Sequence, residues 1–187
     1  MQDDIKAAID KASSQMGQAI EHLEKELQRL RTGKASPSLV SGIMVDYYGS
    51  PTPMSQVANI SAIDSRSISI QPWEKTLVPA IEKAIFESNI GLTPQSDGES
   101  VRINIPPLTE ERRKDLAKQA KALGEDAKVS IRNARRDANN LISREVKAGY
   151  PEDQAKGKEK TVQDLTDKYS KSVEETILAK EKDIMTV

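Results

Sequence analysis

Basic side chains recur along one stretch of the chain at a spacing suited to electrostatic docking. Lys114, Lys121, Lys128 and Arg135 follow one another every seventh residue, and Lys118 and Arg132 lie on the neighbouring row. On a helix with Leu116 and Leu123 at seam position d, and Ala120, Ala127, Ala134 and Leu141 at position a, the first four are at b. The other two are at f, so both rows face away from the seam. The stripe ends in Arg132, Arg135 and Arg136 on adjacent turns. Guanidinium groups fork onto phosphate oxygens, so the pattern suits a phosphate backbone. The plainer reading is a solvated helix face, and on pattern alone it weighs more, because Glu125 interrupts the f row and Asp115 can pair with Lys118. The arginines are the stronger signal, since solubility does not require arginine.

Charge is unevenly placed. The chain has a net charge of -1, but residues 109–148 hold 11 basic and 7 acidic residues. The segments 1–32, 33–107 and 149–187 are each slightly acidic. Any affinity for nucleic acid is therefore local to this one stretch rather than global.

Other chemistries find little support. Without cysteine there is no disulfide, thiolate nucleophile or Cys-ligated zinc. The single histidine, His22, falls on a helix flank between Glu21 and Leu23, where a solvent-facing role outweighs a catalytic one. No paired carboxylates stand out and no Gly-rich loop could cradle a phosphate. Trp73, beside Pro72, reads as packing in a core or at a domain junction rather than as a stacking platform. No apolar run is long enough to span a membrane. The opening Met1-Gln2-Asp3-Asp4 resembles neither a secretory signal nor a transit peptide. The expectation is a cytoplasmic, monomeric protein without cofactor, metal or small-molecule substrate.

The elements that would carry the stripe follow from periodicity. Only 36% of the 187 residues are hydrophobic and 30% are charged, which suits long helices with thin apolar seams. Ile5, Ile9, Ala12, Met16, Ile20, Leu23, Leu27 and Leu30 predict a helix over 2–31, about 45 Å long. Leu116 to Leu141 predict a second over 109–148, about 60 Å long. Thr109 is placed to cap it and Glu110 and Glu111 sit in its first turn. After Gly149-Tyr150-Pro151 a third runs over 152–185, with Ala155, Val162, Leu165, Tyr169, Val173, Ile177 and Ile184 inward. Between the first two, residues 33–107 hold eight of the nine prolines and switch to period two. Strands are predicted at 43–48, 57–63, 67–70 and 100–105, with a helix over 77–88.

The fold class expected is α+β. An elongated antiparallel three-helix bundle, 1–32 with 108–187, is interrupted by a small β/α/β module at 33–107, giving a two-armed, L-like shape. Thr32-Gly33 and Pro106-Pro107 are the two crossings and the expected hinge.

Five segments also resemble a known family. Arg31-Thr32-Gly33-Lys34-Ala35-Ser36-Pro37, Tyr47-Tyr48-Gly49 with Pro51 and Pro53, and Gly91-Leu92 with Pro94 are three of them. Pro106-Pro107-Leu108-Thr109-Glu110-Glu111-Arg112-Arg113-Lys114 and Arg132-Asn133-Ala134-Arg135-Arg136-Asp137-Ala138 complete the set. In order and spacing, these resemble the bacterial ribosome recycling factor family across essentially the whole chain. Lys34 departs from the arginine favoured there. It keeps the charge but loses the bidentate fork.

The resemblance implies a protein that hydrolyses nothing. It would bind the post-termination ribosome and, with the GTPase elongation factor G, split the subunits and release messenger RNA and deacylated tRNA. The bundle would lie on large-subunit ribosomal RNA, and the inserted module would take the push. Arg132 and Arg135 would be the chief contacts. Arg136, Lys128, Lys121, Arg31 and Lys34 would be further rRNA-binding residues. Two other classes fit the pattern alone: a helical adaptor or chaperone that grips proteins, and a small hydrolase in 33–107.

Overall fold

The computed structural model describes residues 2–30 and 32–186. The chain is α+β and divides into two compact units, Met1–Thr32 with Glu110–Val187, and Gly33–Thr109. Among the described residues no helix is long and apolar enough to cross a membrane, and no group of three or more His, Asp or Glu could hold a metal ion.

The first unit consists of α1 (Gln2–Arg29), α4 (Glu110–Lys147) and α5 (Glu152–Met185), each packed against the other two. α4 and α5 run antiparallel. Lys128 and Lys121 of α4 meet Glu174 and Glu181 of α5 in reverse order, and Arg113 at the start of α4 donates to the carbonyl of Met185 at the end of α5. At 38 residues, α4 is a rod of about 57 Å.

The α4–α5 turn is a Schellman cap. Gly149 N–H bonds to the carbonyl of Val146 and Tyr150 N–H to that of Glu145. Tyr150 is buried there, and Pro151 opens the next helix.

The buried seam departs from the expected one at several places. In α4, Gly124 and Ile142 are buried, whereas Leu123 and Leu141 are only half-buried. In α5, Thr166 is buried where Leu165 was expected. In α1, Ala19 is buried, while Ile9, Ile20 and Leu30 are half-buried. A straight helix drifts about 20° per heptad from a strict seven-residue repeat, so the inward position slips to the next residue. Thr166 tolerates burial because its hydroxyl donates to the Val162 carbonyl at 2.8 Å. Gly124 is buried because Ile177 fills the space above it, 2.7 Å from where a Cβ would be.

The second unit holds a hairpin of β1 (Met44–Tyr47) and β2 (Ser50–Pro53), a one-turn α2 (Met54–Val57), and the antiparallel sheet β3-β4-β6-β5. Its strands are Ala58–Ala62, Ser67–Pro72, Val101–Asn104 and Pro94–Ser96. α3 (Val78–Glu87) packs on β1, β5 and β6. The alternations Ser67-Ile68-Ser69-Ile70 and Val101-Arg102-Ile103 pair in register, Ile68 opposite Ile103 and Ile70 opposite Val101. All four apolar side chains are buried and form one core with Val45, Met54, Ile81 and Ile85.

Two strands lay outside the sequence reading, β2 and β5. Both contain proline, which signals a break but is tolerated where a strand does not need every N–H. β2 is joined to β1 by the two-residue turn Tyr48-Gly49, with φ of 50° and 84°. Both residues at positive φ match the right-handed twist of a hairpin.

The hydroxyls of Tyr47 and Tyr48 donate to the two oxygens of Glu74, at 3.1 and 2.6 Å, tying the hairpin to the loop after β4. These bonds to a carboxylate raise both tyrosine pKa values. Trp73 is 68% exposed, which corrects the core half of the expectation of core or domain-junction packing. Its backbone N–H pairs with the Val57 carbonyl and its indole N–H with that of Gln56, so both donors are held by the end of α2.

Asp97 organises the β5–β6 turn. Its Oδ1 accepts from the backbone N–H groups of Ser100 and Glu99, which lower its pKa, the Ser100 bond most. A lowered folded-state pKa means the carboxylate stabilises the fold above the ordinary carboxyl range, and that gain is lost as pH falls through the lowered value. Asp97→Ala is therefore expected to melt below the wild type at neutral pH, with the gap closing in acid. Thermal melts of both proteins across that range check it, and a gap independent of pH contradicts it.

Candidate RNA interface and crossings

The basic stripe on α4 divides into two parts. Three of its four lysines are tied to acids, and among the described residues no ion pair is found for Lys118. Lys114 lies 3.2 Å from Glu110, Lys121 lies 3.6 Å from Glu181, and Lys128 lies 3.2 Å from Glu174 and 3.8 Å from Glu125. The last two reach across to α5 and stitch the helices together. Exposed pairs of this kind contribute little stability, but each neutralises a charge that a phosphate would otherwise meet.

The arginine end differs. Arg132 is exposed and reaches Glu125 only at 4.0 Å. Arg135 is half-buried and Arg136 exposed. Among the described residues neither makes an ion pair. The α4 seam residues Ile131, Ala134 and Ala138 are buried, so Arg132 and Arg136 leave the rod on its outer face while Arg135, four residues from Ile131, lies at the edge of the seam.

The arginines line a concavity of about 420 Å³ together with Asn139, Asn140 and Gln163. Asn139 and Asn140 sit four residues beyond Arg135 and Arg136, on the same helix face. Gln163 comes from α5. Among the described residues no carboxylate lines the hollow. These amides lay outside the sequence reading. Helical spacing places the two asparagines beside the arginines, but only packing brings Gln163 to them.

The remaining sequence candidates lie elsewhere. Arg31 is outside the described residues. Lys34 is half-buried at the start of the second unit. Thr32 and Gly33 mark one passage between units, and Pro106 and Pro107 precede the other, both prolines exposed. Gly33 has φ of 73°, and an added Cβ would lie 2.6 Å from Cγ of Leu108. The two strands of chain are thus pressed together at a point that only glycine permits. Gly33→Ala is expected to cost the second unit about 1–3 kcal/mol, from positive φ plus the clash. Denaturant unfolding checks this, and an unchanged midpoint contradicts it.

His22 is exposed and no partner is found for it among the described residues. In the second unit, Asp64, Ser65, Arg66, Ser67 and Asn104, with Ile105, Pro106 and Pro107, line a hollow of about 580 Å³. There Ser67 Oγ donates to Asn104 Oδ1 at 3.2 Å. Asp64 accepts the Arg66 N–H, which lowers its pKa.

Comparison with known proteins bears on this geometry. A family model described as "Ribosome recycling factor" matches residues 23–185. The chain belongs to the ribosome recycling factor family. The ribosome-recycling factor of Porphyromonas gingivalis is 51% identical over 98% of this chain and 100% of that relative. That of Flavobacterium johnsoniae is 50% identical over the full length of both. A solution structure of the ribosome recycling factor matches with a TM-score of 0.75 and 41% identity, covering 98% of each chain. The Thermus thermophilus factor, from a set of models with Escherichia coli elongation factor G bound to the post-termination complex, matches with a TM-score of 0.61 and 38% identity. That match covers 97% of this chain and 99% of the other. Membership of the family makes ribosome recycling the function in which the arginine face and the two crossings are to be understood.

Proposed function

We propose that the chain recycles ribosomes as a non-catalytic, RNA-binding lever of the cytoplasm, acting as a monomer without cofactor. It binds the post-termination ribosome and, with elongation factor G, splits the subunits and frees messenger RNA and deacylated tRNA. The observation that carries this reading is the arginine end of α4, where Arg135 and Arg136 make no ion pair among the described residues and Arg132 reaches Glu125 only at 4.0 Å. Those three guanidiniums dock on large-subunit ribosomal RNA by charge-assisted bonds to phosphate. Lys121 and Lys128 contribute less, since each must leave an acid of α5 to reach RNA.

The inserted unit, Gly33–Thr109, takes the load from the GTPase and passes it through the two crossings. A 38-residue helix packed on two others resists bending, so force applied at one end reaches the RNA contacts at the other. The factor supplies stiffness and grip while the GTPase supplies the energy.

Co-sedimentation with purified large ribosomal subunits over a salt series tests the reading. Binding is expected to weaken steeply with salt, because each neutralised phosphate releases a counterion. Binding that is flat across salt, or absent at low salt, overturns it. A protein-gripping adaptor would use the groove of α4 and α5, where Leu178 is 64% exposed beside Val173 and Ile177. That reading predicts salt-insensitive capture.

A further inference from the structure

We infer that the hollow bounded by Arg132, Arg136, Asn139, Asn140 and Gln163 holds one unpaired nucleotide of ribosomal RNA, its phosphate on the guanidiniums and its base edge on the amides. The inference rests on the docking proposed above and adds base recognition to it.

A phosphate alone does not account for the lining. Phosphate oxygens only accept hydrogen bonds, and three arginines already supply the donors. The amides add acceptors. Gln163 Nε2 donates one of its two N–H groups to Asp167 Oδ1 at 2.8 Å, which orients the amide and leaves its carbonyl oxygen for a ligand. Asn139 is half-buried, and its Oδ1 is a buried acceptor that finds no hydrogen-bond donor. Such an acceptor is costly to leave unpaired, and a turn of the side chain toward the hollow brings it to a donor.

The occupant must therefore carry negative charge and also N–H groups. An acidic peptide offers carboxylates and backbone N–H groups but no flat ring face on which guanidinium planes can stack. A nucleotide meets both, because adenine, guanine and cytosine each present an exocyclic amine beside a ring acceptor. Guanidinium planes also stack on exposed bases.

The nucleotide has to be unpaired. In an A-form helix the base edges of the major groove are too deep for side chains to read, and specific contacts go to loops and bulges whose bases splay out. A volume of about 420 Å³ lies at the small end of ligand sites and suits a single nucleotide.

The test uses the full chain on purified large subunits, with dimethyl sulfate probing adenine and cytosine edges and kethoxal probing guanine. The wild type at saturation is expected to protect one unpaired base. Asn139→Ala with Gln163→Ala removes both amides and no charge. It should lose that protection and bind about tenfold more weakly, with an unchanged salt slope. Gln163→Ala alone, at an exposed helix position, leaves folding intact and should give part of both effects, so the result does not depend on the double variant folding. Protection and affinity equal to wild type in the variants overturn the inference. So does salt-sensitive wild-type binding with no base protected, which would leave phosphate docking standing alone. Wild-type binding without salt dependence overturns the docking reading, and base recognition falls with it.

Discussion

Arg132→Ala with Arg135→Ala is expected to weaken binding to large ribosomal subunits about a hundredfold. Each guanidinium lost costs about 1–3 kcal/mol when it bonds to phosphate, and every 1.4 kcal/mol is about tenfold. The two side chains lie one turn apart on α4, so their losses couple and the double falls short of the sum of the singles. The dependence of log affinity on log salt should also flatten, by about one unit for each phosphate contact removed. Lys114→Ala with Lys121→Ala is the control. Both lysines already face acids, Glu110 at 3.2 Å and Glu181 at 3.6 Å, so their loss should change affinity by about twofold at most. Equal losses from the arginine and lysine pairs would show that total charge on α4 governs docking, and would remove the special role of the arginine end.

Inserting two glycines between Pro106 and Pro107 is expected to abolish subunit splitting while leaving docking unchanged. Both prolines have their φ restricted, and the segment enters α4 within a few residues. Leu108, directly after them, presses on Gly33 in the other crossing. Two glycines add a flexible joint and displace Leu108 from that contact. A load applied to the inserted unit would then move the joint rather than the bundle. The arginines, some 25 residues further along α4, would be untouched, so co-sedimentation should match wild type. Subunit splitting with elongation factor G and GTP, followed by light scattering, gives the readout. Normal splitting by this variant would mean that load does not pass through the crossing, and the lever would have to be abandoned. Loss of docking together with splitting would locate the defect in folding, which a thermal melt would reveal.

Much of this was open to reading from residue order. The seams of α1, α4 and α5 appear as steps of three and four because a helix that packs on two neighbours must bury one narrow stripe. Ile68, Ile70, Val101 and Ile103 appear as alternations because a sheet with one dry face buries every second residue. What misled was proline, which hid β2 and β5, and a strict heptad, which put Leu123, Leu141 and Leu165 inward where Gly124, Ile142 and Thr166 are buried. Trp73 misled through its type. Large aromatics usually pack, but here two carbonyl partners hold it at the surface.

From its residues alone the chain determined its elements, the interruption of a helical pattern by a sheet pattern, and the concentration of positive charge on one helix. These depend on neighbours within a few residues, where spacing and geometry are tied by helical and strand periods. Tertiary structure decided which of those charges remain available. Lys121 and Lys128 find Glu181 and Glu174 on a helix some 45 to 60 residues away, while Arg135 and Arg136 find no acid among the described residues and acquire Gln163 as a neighbour instead. Pairings at that separation depend on how one rod rolls against another, and a roll of a few tens of degrees would exchange the partners without changing either helix.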